Sequence, residues 1–145
     1  MGEDRGVVVV GIDGSKGAHR ALEWAVHEAE VRGARLLVIH TWFYPYVGSP
    51  AFVQVDPALL REGAQELLDH AVAQVRAGHP DLDVTGSLLE GSAAHALVEA
   101  GQEADLVVVG SRGHGGFAGL LLGSVSQQCV HHATCPVVVV PAGAD

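Results

Sequence analysis

Lysine is nearly absent from this chain: Lys16 is its sole representative in 145 residues. Basic residues number eight in all against seventeen acids, for a formal charge of −9. Arg5, Lys16, Arg20, Arg32, Arg35, Arg61, Arg76 and Arg112 are scattered and form no stripe that could track phosphates, which argues against nucleic acid as a partner. Cysteine is scarce too. Cys129 and Cys135 stand six apart, without CxxC spacing or further cysteine partners, and read as inert, buried thiols. Apolar residues make up 48% of the chain, yet no uninterrupted run approaches the ~20 needed to span a bilayer, so no membrane partner is expected. The opening "MGEDRG" leads straight into "VVVVGI" with no basic n-region or cleavage site, which predicts no secretory signal and a cytoplasmic location.

The length fits one domain, residues 1–145 with a core over 7–141. β-Branched runs of strand length alternate with amphipathic stretches of helical length, the pattern of an α/β fold with a largely parallel sheet. Strands are expected at Val7 to Ile12, Leu36 to Thr41, Val84 to Leu89, Asp105 to Gly110 and Pro136 to Val140. The first is apolar except for Gly11, as a strand covered by helices on both faces should be. Helices are expected at Ala18 to Val31, Pro57 to Ala77, Ser92 to Ala100 and Ser124 to His132. Asp13 and Ser15 are candidate caps for the first helix, and Gly33 ends it.

The segment "GSRGHGGFAGLLLGS", Gly110 to Ser124, carries six glycines in fifteen residues directly after an apolar strand. Glycines at a βα turn let backbone amides converge on a ligand, and the following helix start adds partial positive charge, so phosphate is the natural guest. A Walker A loop is excluded because it requires Gly-Lys-Ser/Thr and no lysine follows Lys16. A dinucleotide fingerprint is excluded as well: the first βα turn reads "GIDGSKG".

Spacing says more than glycine content. Gly110, Gly113, Gly123 and Ser124 fit G-x2-G-x9-G-[ST], which resembles the ATP-binding signature of the universal stress protein family. "VVVVGIDGSKGAHRALEWAVHEA", "RLLVIHTW", "EADLVVVGSRG" and "SVSQQCVHHATCPVVVVP" resemble the family's other segments, so the likeness runs from Val7 to Pro141. It implies an open five-stranded parallel sheet in the order 3-2-1-4-5 with helices on both faces, and a nucleotide site between strands 1 and 4. By position in the motif, Asp13 would hydrogen-bond the ribose hydroxyls or help hold Mg2+, and Ile12 beside it would belong to the nucleotide-binding set. Thr41 and Val109 would flank the adenine. Gly110 and Gly113 would approach the ribose and α-phosphate, Arg112 between them could reach a phosphate, and Gly123, Ser124 and Val125 would meet the terminal phosphates. ATP, with or without Mg2+, is the implied cofactor, any hydrolysis is expected to be slow, and a homodimer through the strand Pro136 to Val140 is the implied assembly.

Residue by residue, other readings stay open. Asp13 could cap the first helix, Arg112 could be a solvated loop charge, and His114 could be an acid–base group or a surface residue. His40 reads as a satisfied interior histidine, while His131 and His132 are too close in sequence to form an i, i+4 metal pair. Trp42, Phe43, Tyr44 and Tyr46 could cover an adenine or pack the long loop that follows strand 2. Asp56, Glu62, Glu66 and Asp69 should form a solvated helix face. A receiver domain shares the architecture, but it needs an acidic cluster after strand 1 and a late lysine. The competing functional class is a protein-interaction scaffold in which nucleotide is structural or absent.

Overall fold

The computed structural model describes residues 5–44, 56–112 and 122–143. Gly113, His114 and Tyr46 lie outside them. The chain runs β1 (Val7–Gly11), α1 (Lys16–Arg32), β2 (Arg35–Trp42), α2 (Pro57–Gly78), β3 (Val84–Glu90), α3 (Ala93–Gly101), β4 (Leu106–Gly110), α4 (Ser124–His132) and β5 (Val137–Val140). All strands are parallel and lie in the order β3-β2-β1-β4-β5, as expected.

The core explains why β1 is so uniformly apolar. Val8, Val9 and Val10 are all fully buried, but they serve different layers because successive side chains point to opposite faces. Val8 and Val10 join Leu36, Val38, Leu106 and Val108 under α1 and α2, where Ala21, Leu22, Leu68 and Val72 close the layer. Val9 joins Ile39, Val107 and Val109 against Leu97 of α3 and Cys129 of α4. No helix of the described residues is long and apolar enough to cross a membrane.

Element ends differ from the sequence reading for local reasons. Ser15, not Asp13, caps α1: its Oγ accepts the Ala18 N–H at 3.1 Å, and the helix therefore starts at Lys16. Gly33 closes that helix in the left-handed conformation, at φ 66°. Asp56 is exposed as expected and also caps α2, its Oδ1 accepting the Ala58 N–H at 3.0 Å. Glu62, Glu66 and Asp69 are exposed along α2 as expected. Cys129 is buried, whereas Cys135 is only half-buried.

Candidate functional site

The sheet opens at its centre. β1 and β4 pair in register only as far as Val10 with Val108. Beyond that point each strand stays with its outer neighbour. β1 continues beside β2 through Gly11 and Ile39, and the Ile12 N–H then donates to the Ile39 carbonyl at 2.9 Å. β4 continues beside β5 through Gly110 and Val140, and the Ser111 N–H donates to the Val140 carbonyl at 2.8 Å. The carboxyl ends of β1 and β4 thus part where the winding direction reverses, the place where open α/β sheets bind ligands.

His40 shapes the first wall of this crevice. Its Nδ1 lies 2.9 Å from the Ile12 carbonyl oxygen, and because a carbonyl only accepts, Nδ1 carries the proton. His40 is therefore satisfied at Nδ1, on the carbonyl of the residue that follows the last of β1. Backbone alternation shows what this leaves. On β2, the Arg35 N–H and Ile39 carbonyl bond toward β1, while the Leu36 N–H and Trp42 carbonyl bond toward β3. Thr41 follows Ile39 by two, so its peptide groups turn to the β1 side, just past the end of β1. Ile12 itself is buried beneath α1, with both peptide groups engaged.

Asp13 stands at the rim, half-buried, where the chain turns through Gly14 at φ 84°. Its Oδ1 accepts the Ser15 N–H at 2.9 Å and the Ser15 hydroxyl at 2.5 Å. The carboxylate therefore steadies the residue that caps α1 rather than capping the helix itself. As an oxygen donor it suits Mg2+, which is usually held by one or two carboxylates with phosphate oxygens and water completing the shell.

The second wall comes from β4 and α4. A Cβ on Gly110 would sit 3.0 Å from the backbone carbon and oxygen of Gly17, and a Cβ on Gly17 would sit 2.8 Å from the Arg112 carbonyl oxygen. The glycine at the end of β4 thus admits the first turn of α1 against the strand. Arg112 is half-buried, and no hydrogen bond or ion pair holds its guanidinium among the described residues. Val109 is buried in the layer under α3 and α4, beside β5. Gly123 caps α4 and has no side chain with which to do so. Ser15, Asp56 and Ser92 each accept an amide at the starts of α1, α2 and α3. The first intrahelical bond of α4 runs from the Gln127 N–H to the Gly123 carbonyl at 3.0 Å, so the amides of Ser124 and Val125 precede it. Ser124 is exposed and Val125 half-buried.

Ile12, Asp13, Thr41, Gly110, Arg112, Gly123, Ser124 and Val125 are all contributed by this end of the sheet. The sequence reading missed Gly17, Ser111 and Ser126. Ser126 lies three residues after Gly123, the spacing at which a hydroxyl reaches back to a helix-start carbonyl, and that was the available signal. The remaining titratable candidates lie elsewhere. Burial, and secondarily the nearby Cys135, push the Cys129 thiol up to about 11. Burial and then Asp105 also raise Cys135, so both thiols stay protonated at neutral pH and are poor nucleophiles. His131 and His132 are exposed, with ring centroids 6.4 Å apart. Among the described residues, no three His, Cys, Asp or Glu groups are placed to hold a metal ion.

Comparison with known proteins bears on this geometry. Residues 5–141 match the model of the Universal stress protein family. A universal stress protein of Thermus aquaticus is 40% identical over 137 residues, covering 92% of this chain and 96% of that protein. One from Mycolicibacterium smegmatis is 38% identical over 137 residues, again covering 92% of this chain but 45% of that protein. The chain therefore spans about half the length of that relative. Among solved structures, a universal stress protein in complex with cAMP has a TM-score of 0.73 at 28% identity, covering 95% of this chain and 98% of that one. A universal stress protein from Archaeoglobus fulgidus in complex with dAMP has a TM-score of 0.65 at 25% identity, covering 94% and 97%. With this sheet order, this split at its centre and a family match over nearly its whole length, the chain belongs to the universal stress protein family.

Proposed function

We propose that this protein binds an adenine nucleotide, with ATP preferred and Mg2+ accompanying it, in the crevice where β1 and β4 part. Nucleotide occupancy then regulates contacts with partner proteins in a stress response. The observation that carries this reading is the start of α4, the one described helix whose first amides receive no side-chain cap, set beside the parting of the central strands. Phosphate oxygens supply the acceptors those amides lack, and the helix dipole favours their charge. Thr41's peptide groups, facing the end of β1, suit the hydrogen-bonding edge of an adenine. Asp13 suits the ribose hydroxyls or Mg2+. The relatives in complex with cAMP and dAMP support the adenine nucleotide class.

Mg2+, when bound, would neutralise phosphate charge. The chain's own residues orient the nucleotide: the turn at Asp13 from one wall, the α4 amides from the other. Hydrolysis is at most slow. Lys16 is the sole lysine, and among the described residues none stands out as a base for water, whereas phosphoryl transfer needs charge placed on the γ-phosphate and a positioned nucleophile. Isothermal titration of the full chain with Mg-ATP, AMP and cAMP tests this reading. Binding in the micromolar range is expected, strongest for Mg-ATP and weakened by Asp13→Ala. Absence of binding for all three at millimolar ligand overturns it.

A specific feature also favours a homodimer. β5 is an edge strand of four valines, three of them only half-buried, and a bare apolar edge is a pairing liability unless another chain covers it. A second copy pairing along Val137–Val140 would cover it. Light scattering should give twice the chain mass, and a strict monomer refutes the assembly.

A further inference from the structure

Among the described residues the two buried polar side chains are Ser111 and Ser126, and they belong to one hydrogen-bonded unit. Ser126 is 1% exposed. Its Oγ lies 3.0 Å from the Ser111 carbonyl oxygen and 3.0 Å from the Gly123 carbonyl oxygen, so one hydroxyl proton is shared between two acceptors. The same Ser111 carbonyl accepts the Gly123 N–H at 2.6 Å, and the Ser111 N–H is anchored on β5 through Val140. The end of β4 and the start of α4 are thereby tied at both ends of the glycine-rich segment.

Helix stability does not account for this serine. Alanine has the higher helix propensity, and a buried hydroxyl must be satisfied or it costs free energy. Its two acceptors lie outside the α4 ladder on one side and at its first carbonyl on the other. What the hydroxyl does is fix the distance and tilt between the last residues of β4 and the uncapped amides of Ser124 and Val125. Resting on the nucleotide site proposed above, we infer that Ser126 is a positioning residue: it aims the α4 amides at the terminal phosphates and so sets the preference for phosphorylated ligands over adenosine.

The test compares ATP and adenosine binding to wild type and Ser126→Ala by titration calorimetry, with thermal melting of each protein. Losing one such bond should lower ATP affinity about three- to tenfold, while adenosine affinity stays within about twofold. Ser126→Thr, which keeps the hydroxyl, should restore the ATP-to-adenosine ratio. A ratio unchanged in Ser126→Ala overturns the inference and leaves the nucleotide site standing. If wild type binds neither ligand, the nucleotide reading itself falls, and this inference with it. Should Ser126→Ala fail to fold, Ser126→Cys, similar in size and a weak donor, carries the same comparison.

Discussion

Two glycine-to-alanine substitutions separate helix propensity from the contact that closes the second wall. Both positions are helical, and propensity alone predicts a gain of up to about 1 kcal/mol for either. Gly63, on the exposed side of α2, has nothing within 4 Å of where its Cβ would lie. Gly63→Ala should therefore realise that gain and raise Tm by about 2–4 °C. At Gly17 the new carbon would lie 2.8 Å from the Arg112 carbonyl oxygen. The oxygen is backbone and a Cβ is fixed by its own backbone, so neither can rotate aside, and forcing an extra carbon into a packed contact costs about 1–3 kcal/mol. Gly17→Ala should consequently melt at least about 3 °C below Gly63→Ala, with a difference of up to roughly 10 °C. Melting followed by circular dichroism and calorimetry at neutral pH measures the gap. Because Arg112 lies within the glycine-rich segment, Gly17→Ala should also weaken nucleotide binding while Gly63→Ala leaves it unchanged. If Gly17→Ala melts as high as Gly63→Ala, the close approach of α1 to β4 is not as described, and the second wall loses its support.

Alkaline pH should destabilise the protein through Cys129. Its thiol ionises near 9 in the unfolded chain and is pushed up to about 11 when folded, so its contribution is intact below pH 9 and is lost as pH rises from 9 toward 11. Melting temperature measured across that range should fall less steeply in Cys129→Ala, and equal slopes would dismiss the effect. Ser92→Ala removes the hydroxyl that accepts the His95 N–H at 3.3 Å and should cost about 1 kcal/mol by chemical denaturation. Asp105→Ala deprives the Val7 N–H of its 2.8 Å acceptor at the start of β1 and should cost a similar ~1 kcal/mol, visible as earlier hydrogen exchange at Val7. By contrast Glu28→Ala, which breaks the exposed i, i+4 pair with Arg32, should change stability by no more than about 0.5 kcal/mol.

The sequence by itself determined the alternation of strands and helices, and with it the fold class. "VVVVG" and "LVVVG" are apolar at nearly every position because both faces of a central parallel strand are covered, and that requirement is written into each strand separately. The glycine spacing from Gly110 to Ser124 likewise marked one end of the sheet as the candidate site, because close backbone approach leaves a residue-level trace. Caps were less legible. Asp13 and Ser15 are both good cap residues, and only the turn through Gly14 decided that Ser15 takes the Ala18 amide while Asp13 supports Ser15. Tertiary structure alone decided the contacts between segments far apart in the chain: Gly17 against Gly110 and Arg112, His40 on the Ile12 carbonyl, and Ser126 on the Ser111 carbonyl. Each joins two elements whose relative placement is set by sheet register and helix packing. Local composition cannot carry such a contact, because the distance between the partners exists only once the sheet has been assembled.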